Sequence, residues 1–220
     1  MSAPCDAQPC AVAPGRSGNP RRLSVRLNTK VLVLASASPR RSELLRIAGF
    51  DFIVRARPVE EVIRPNESPV DYVRRLARAK AEAARESPDE IVLGADTTVV
   101  LGERVLEKPR DAADASEMLR ALSGRDHIVL TGIALLHGNQ TLVDHESTDV
   151  HFVELSDREI ADYVASGEPM DKAGAYAIQG RASKFIDRIA GDYCNVMGLP
   201  VALVYRHLRR IGNAEGQPKR

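Results

Sequence analysis

The stretch Lys30–Gly49, KVLVLASASPRRSELLRIAG, changes character at its middle. It opens as an apolar run of strand length. From Ser38 onward the pattern is helical. Ser38 stands where an N-cap would, Pro39 suits the first helical position because its missing N–H is not needed there, and Gly49 is a stop. A strand followed by a helix across a short Ser-Ala-Ser loop is the first unit of an α/β fold. The junction is also suited to binding an anion. The N–H groups of a helix start and the positive end of its dipole converge on one point. Ser36 and Ser38 add hydroxyl donors, and Arg40 and Arg41 add forked cations shaped for phosphate oxygens. Adjacent helical residues point about 100° apart, so only one arginine need face that point. An ordinary capped helix with solvent-facing arginines reads equally well from these residues alone, and the loop lacks the glycines of either nucleotide-binding loop.

Working outward, strand and helix signals continue to alternate. FDFIVRA (50–56) is a second strand, and SPVDYVRRLARAKAEAARE (68–86) repeats the Ser-Pro start and runs as an amphipathic helix with Val70, Val73, Leu76 and Ala77 on one side. EIVLGADTTVVLGERVLEK (90–108) reads as a strand and hairpin turning at Gly102-Glu103. DAADASEMLRALSG (111–124) is a helix. Residues 126–155 form two long strands joined at HGNQ, and SDREIADYVASG (156–167) opens with a capping box, Ser156 and Glu159. EPMDKAGAYAIQGRASKF (168–185) has no period and is expected to be a long irregular loop, a feature often tied to function. PVALVYRHLRRI (200–211) is a terminal helix. The alternation followed by long hairpins predicts an α/β fold with a mixed β-sheet and flanking helices. Residues 1–29, rich in Pro, Gly, Ser and Ala, are expected to be a disordered arm, residues 30–211 the folded domain, and 212–220 a flexible tail.

Composition narrows the function. The 220 residues carry a net charge of +1, with 44% hydrophobic and 28% charged residues, as in ordinary globular proteins. The absence of Trp and 4% aromatic content argue against a single-strand-binding surface, and the neutral balance argues against general nucleic-acid binding. Cys5, Cys10 and Cys194 match neither a zinc site nor a disulfide framework. No apolar run reaches the ~18 residues of a membrane span, and the first residues lack the apolar region of a secretory signal, so a cytoplasmic location is expected.

Single charged residues complete the candidates. Asp96 is read as ending an apolar strand, where a carboxylate can hold a divalent ion or take a proton from water; a turn Asp bonded to a backbone N–H is the plainer reading. Glu60, Glu61, Lys80 and Lys108, each taken alone, read as solvated surface charges. Gln179 carries an amide that can both donate to and accept from a nucleobase edge. His127, His137, His145, His151 and His207 show no metal-ligand spacing on a helix, and no nucleophile elbow is present.

Taken together, LASASPRR (34–41), VEE (59–61), ARAKA (77–81), GADTTV (94–99), EKP (107–109), LSGRDHIVLTG (122–132) and EPMDKAGAYAIQGRASKFIDRIAGDYCNVMGLP (168–200) resemble the Maf family of nucleoside triphosphate pyrophosphatases, in order and spacing. The resemblance covers about residues 31–210. It implies two lobes around a central cleft, a fold related to inosine-triphosphate pyrophosphatases, a requirement for Mg2+ or Mn2+, and a homodimer. The implied reaction converts a nucleoside triphosphate to the monophosphate and pyrophosphate. DKAGAYAIQG looks like the subgroup acting on dTTP and UTP, with modified pyrimidine nucleotides, a house-cleaning role and a link to cell-division arrest as further associations. The proton acceptor falls on Asp96, the phosphate-binding arginine on Arg40 with Arg41 beside it, the acid near the metal on Glu60, and the two lysines on Lys80 and Lys108. Positions tied to substrate choice fall on Arg40, Thr97 and Gln179. Ala177 and Ala182 depart from the subgroup, which commonly has Gly at both; a positive φ at either would strain an alanine.

Two other readings make different demands. A nucleotide-binding regulator of septation would bind without significant hydrolysis. A DNA-binding protein using the basic arm would show salt-dependent duplex affinity lost with residues 1–29.

Overall fold

A computed structural model describes residues 31–215; the arm expected over 1–29 lies outside the described residues. In chain order the elements are β1 (Leu32–Leu34), α1 (Pro39–Ile47), β2 (Phe52–Val54), α2 (Pro69–Ala84), β3 (Ile91–Leu101), β4 (Arg104–Leu106), α3 (Ala112–Leu122), β5 (Asp126–His137), β6 (Gln140–Phe152), α4 (Asp157–Ala165), β7 (Ile186–Ala190), α5 (Tyr193–Met197) and α6 (Val201–Glu215). One mixed seven-stranded sheet runs β2-β1-β3-β5-β6-β7, with β4 paired to β3. β1 is parallel to β2 and β3, and every other pairing is antiparallel.

Most elements predicted from periodicity are present. The capping box of α4 forms in full, while α2 and α3 are capped by the side chains of Ser68 and Asp111. Three features differ. The stretch 168–185 contains three short 3-10 turns, and the chain then adds β7 and α5, which no apolar period announced because β7 is half-exposed at the sheet edge. α6 continues to Glu215, past the Gly212 where a frayed tail was expected to start. β3 runs eleven residues, so Asp96 lies in mid-strand rather than at a strand end.

Side chains of β3 alternate between two environments, as the pleat requires. On one face lie Val92, Gly94, Asp96, Thr98 and Val100, covered by α2, whose Val73, Leu76, Ala77 and Ala81 are fully buried. Gly94 and, on β5 opposite Asp96, Gly132 let α2 rest directly on the sheet. A Cβ on Gly94 would stand 2.0 Å from the Ala77 carbonyl oxygen, and one on Gly132 2.3 Å from that of Val73. On the other face the strand is divided. Ile91, Leu93 and Ala95 belong to a core with α1 and α6, whereas Val99 and Leu101 belong to a second core with α3, α4, Phe152 and Phe185. Thr97 sits in the gap between these two apolar masses, which are the two lobes.

Candidate active site

The cleft forms where β1 stops. β1 pairs with β3 as far as Leu34 opposite Leu93, Ala35 N–H donates to Leu93 O at 2.8 Å, and the chain then turns away through Ser36–Ser38 into α1. β4 pairs with β3 only from Val99. Between these points the outer edge of β3 has no strand partner, and a cleft of about 690 Å3 opens there. Ser36, Ser38, Arg40, Arg41, Lys80, Asp96, Thr97, Lys108 and Gln179 all line it. Residues separated by up to 143 positions are thus brought together, counting from Ser36 to Gln179.

Asp96 is buried and points toward α2, where Lys80 Nζ lies 2.6 Å from its Oδ1. The close seat of α2 on Gly94 and Gly132 is what lets Lys80 reach. The same ammonium is 2.7 Å from Glu61 Oε1, so Lys80 joins the two carboxylates. Burial raises Asp96 above the usual carboxylate range, against the pull of Lys80 and Arg41. Glu61 lies lower than usual: its burial acts upward and is the largest single influence, but Lys80, Lys108 and Arg41 together outweigh it. Glu60, the acid expected near the metal, is exposed and does not line the cleft; its neighbour Glu61 does. Adjacent residues of an extended loop face opposite ways, and the Tyr72 hydroxyl, 3.4 Å from Glu61 O, helps fix which one turns inward.

The arginine pair divides. Arg41 is buried, and four of its five guanidinium N–H groups bond to the protein. Nε donates to Gly198 O (2.8 Å), Nη1 to Ser36 Oγ and Ala95 O (both 2.9 Å), and Nη2 to Thr97 Oγ1 (3.0 Å). It takes the Ala95 carbonyl that β1 would have used had the strand continued. Arg41 therefore ties three segments of the cleft wall together, whereas the expectation for this residue was contact with phosphate. Arg40, a quarter exposed, faces the cleft, with Nη1 3.7 Å from Asp171 Oδ2. Ser38 is the N-cap of α1, yet its hydroxyl makes no capping bond; instead its N–H donates to Ser36 Oγ at 3.3 Å. Thr97 hydrogen-bonds across β5 to Thr131 Oγ1 at 2.9 Å, so its hydroxyl is part of the Arg41 tie as well as of the cleft wall.

Lys108 and Gln179 are exposed at the far wall. Glu107, Tyr72, Asp171 and Lys172 also line the cleft and were not singled out from sequence; Glu107 lay within the quoted EKP, and its Oε1 accepts from the Tyr72 hydroxyl at 2.7 Å. Neither Ala177 nor Ala182 has a positive φ, so neither departure from glycine strains the backbone. The non-glycine residue with positive φ in this segment is Ala175, at 59°. Among the described residues, no group of three or more His, Cys, Asp or Glu side chains is arranged to hold a metal ion, and no helix is long and apolar enough to cross a membrane.

Comparison with known proteins finds relatives along most of the chain. A protein named dTTP/UTP pyrophosphatase from Koribacter versatilis is 56% identical over 182 residues, 82% of this chain and 94% of its own. Proteins of the same name from Symbiobacterium thermophilum (53% over 182 residues, 82% and 94%) and Geobacillus sp. (48% over 184 residues, 83% and 99%) are also similar. Among solved structures, the Ham1 protein of Staphylococcus aureus matches at 14% identity and a TM-score of 0.45, over 82% of this chain and 99% of its own. Residues 31–211 match the family described as Maf-like protein, a span that takes in every strand of the sheet and every residue of the cleft, and the chain belongs to that family.

Proposed function

We propose that the protein hydrolyses nucleoside triphosphates, dTTP and UTP foremost, between the α- and β-phosphates. The observation that carries this reading is the Asp96–Lys80–Glu61 cluster, set where the edge of β3 is open and facing Arg40 and the start of α1 across a nucleotide-sized cleft. The names of the relatives supply the two nucleotides.

Water attacks the α-phosphorus, the bond to the bridging oxygen breaks, and pyrophosphate leaves with the electron pair. Asp96 orients that water and accepts its proton. Burial raises Asp96 toward the range in which a carboxylate is a useful base, and Lys80 holds one of its oxygens in place. Arg40, Lys108, the uncommitted Ser38 hydroxyl and the N–H groups of the first turn of α1 offset charge on the phosphates. Gln179 reads the base. Uracil and thymine share one edge, an N3–H donor between two carbonyl acceptors, which an amide can match on both counts.

Asp96 and Glu61 would hold a divalent cation, Mg2+ or Mn2+. They are hard oxygen donors that already converge on one ammonium, and Mg2+ commonly takes one or two carboxylates with substrate phosphates and water completing its shell. Such an ion, when bound, neutralises phosphate charge and lowers the pKa of water. This assigns the loop acid to Glu61 in place of Glu60.

The test is pyrophosphate release from dTTP with Mg2+ or Mn2+. Asp96→Asn is expected to abolish turnover and keep nucleotide binding; wild-type turnover by that variant would overturn the assignment. Binding without release by the unmodified protein would mean a regulator, a reading to which the names of the relatives lend no support.

A further inference from the structure

Behind the wall that carries Gln179, outside the cleft lining, a half-buried carboxylate ties down both flanks of that residue. Glu168 follows Gly167 at the end of α4. Its Oε1 and Oε2 accept the Arg181 N–H at 3.0 and 3.2 Å, and Oε1 also accepts the Tyr163 hydroxyl at 3.0 Å. The Tyr163 oxygen in turn accepts the Ala177 N–H at 3.3 Å. One Tyr–Glu pair therefore holds the residues two before and two after Gln179, while Gly180 N–H closes the turn on Ala177 O at 3.0 Å. The fit is tight: a Cβ on Gly180 would stand 2.1 Å from Glu168 Oε1. The pair is itself anchored. Tyr163 is buried with its ring edge-on to Phe185, and the Glu168 carbonyl oxygen accepts from Lys172 Nζ at 3.0 Å.

We infer that Glu168, acting with Tyr163, is a positioning residue for base recognition: it fixes the Gln179 turn against the pyrimidine edge and so sets the preference for dTTP and UTP without touching the nucleotide. The inference rests on the reading of Gln179 given above. Its physical basis is that an amide discriminates only when held in place. A turn released on both sides loses that pre-organisation, while the phosphate side, built on β3, α1 and α2, is untouched.

The experiment measures kcat and KM for pyrophosphate release from dTTP, UTP, CTP and GTP with Mg2+. The proteins are the wild type, Gln179→Ala, Glu168→Ala, Glu168→Gln, Gly180→Ala and the double variant Glu168→Ala/Gln179→Ala. Glu168→Ala is expected to raise KM for dTTP and UTP about tenfold, leave kcat within about threefold, and lower the preference over CTP by about tenfold. Glu168→Gln keeps an acceptor oxygen for both donors and should stay near wild type. Gly180→Ala pushes on the same carboxylate with Glu168 retained and should reproduce the KM rise, which keeps the inference testable if Glu168→Ala does not fold. The double variant should be no less selective than Gln179→Ala. A fall in kcat for all four nucleotides alike with the preference intact, or losses that multiply in the double variant, would overturn the inference. An altered preference in Gln179→Ala with none in Glu168→Ala or Gly180→Ala overturns it alone; an unaltered preference in Gln179→Ala overturns the reading of Gln179 and this inference with it.

Discussion

Two neighbouring arginines of identical chemistry do different work because a helix points them apart. Arg41 spends its fork on four oxygens from three separate segments, and Arg40 faces the cleft. Lysine has the charge but not the planar fork. Arg41→Lys is therefore expected to cost about 2 kcal/mol or more in urea unfolding, since buried carbonyl and hydroxyl acceptors lose their donor. Arg40→Lys should change stability by less than about 0.5 kcal/mol while raising KM for dTTP. Equal stability of the two variants would contradict this division.

At the scale of elements, the site depends on how closely α2 approaches the sheet. Gly94 and Gly132 have no rotamer to place and no charge to offer, yet they determine whether Lys80 reaches Asp96. Gly94→Ala would drive a methyl into the Ala77 carbonyl, and relief requires α2 to lift or β3 to bend. Overpacking of this kind costs about 1–3 kcal/mol. The expected result is a lowered unfolding midpoint together with a fall in kcat out of proportion to any change in KM, since Asp96, the proton acceptor proposed above, loses its partner. A variant with lowered stability and full kcat would show that the seat of α2 matters to folding alone.

At the scale of the whole molecule, two buried or paired groups tilt stability in the same direction with pH. His127 is buried, its Nε2 2.8 Å from the Tyr176 hydroxyl, and burial lowers it to about 4. An unfolded His titrates near ~6.5. Between these values the unfolded chain binds a proton that the native protein refuses, so stability is full above ~6.5 and declines as pH falls toward 4. Glu67, hydrogen-bonded by Arg75, is held at about 2, below its ordinary ~4.3, and its contribution is lost as pH falls from ~4.3 toward 2. Thermal melts should therefore drop between pH 7.5 and pH 4.5, and His127→Gln should flatten that slope even though it lowers the melting temperature. A slope unchanged in His127→Gln would assign the acid sensitivity elsewhere.

Much of this molecule was legible in one dimension because its signals are local. Ser-Pro starts, a capping box, the HGNQ junction at 137–140 and two clear periods mark most of the helices and long strands before any contact is known. Gln179 could be nominated from its amide and Arg40 from its place at a helix start, whereas Asp96 was nominated as a strand end and lies in mid-strand; the motifs resembling one family joined them into a site. β7 and α5 escaped because edge elements and single turns carry little periodicity. Sequence determined which residues are available and which elements they ride on. Tertiary structure alone decided that Glu61 and not Glu60 turns inward, that Arg41 is bonded to four protein oxygens while Arg40 is not, and that Asp96 lies in mid-strand yet lines the cleft. The reason is the same in each case. These facts depend on where β1 stops beside β3 and how near α2 can lie, and such distances are set by packing between segments far apart in the chain.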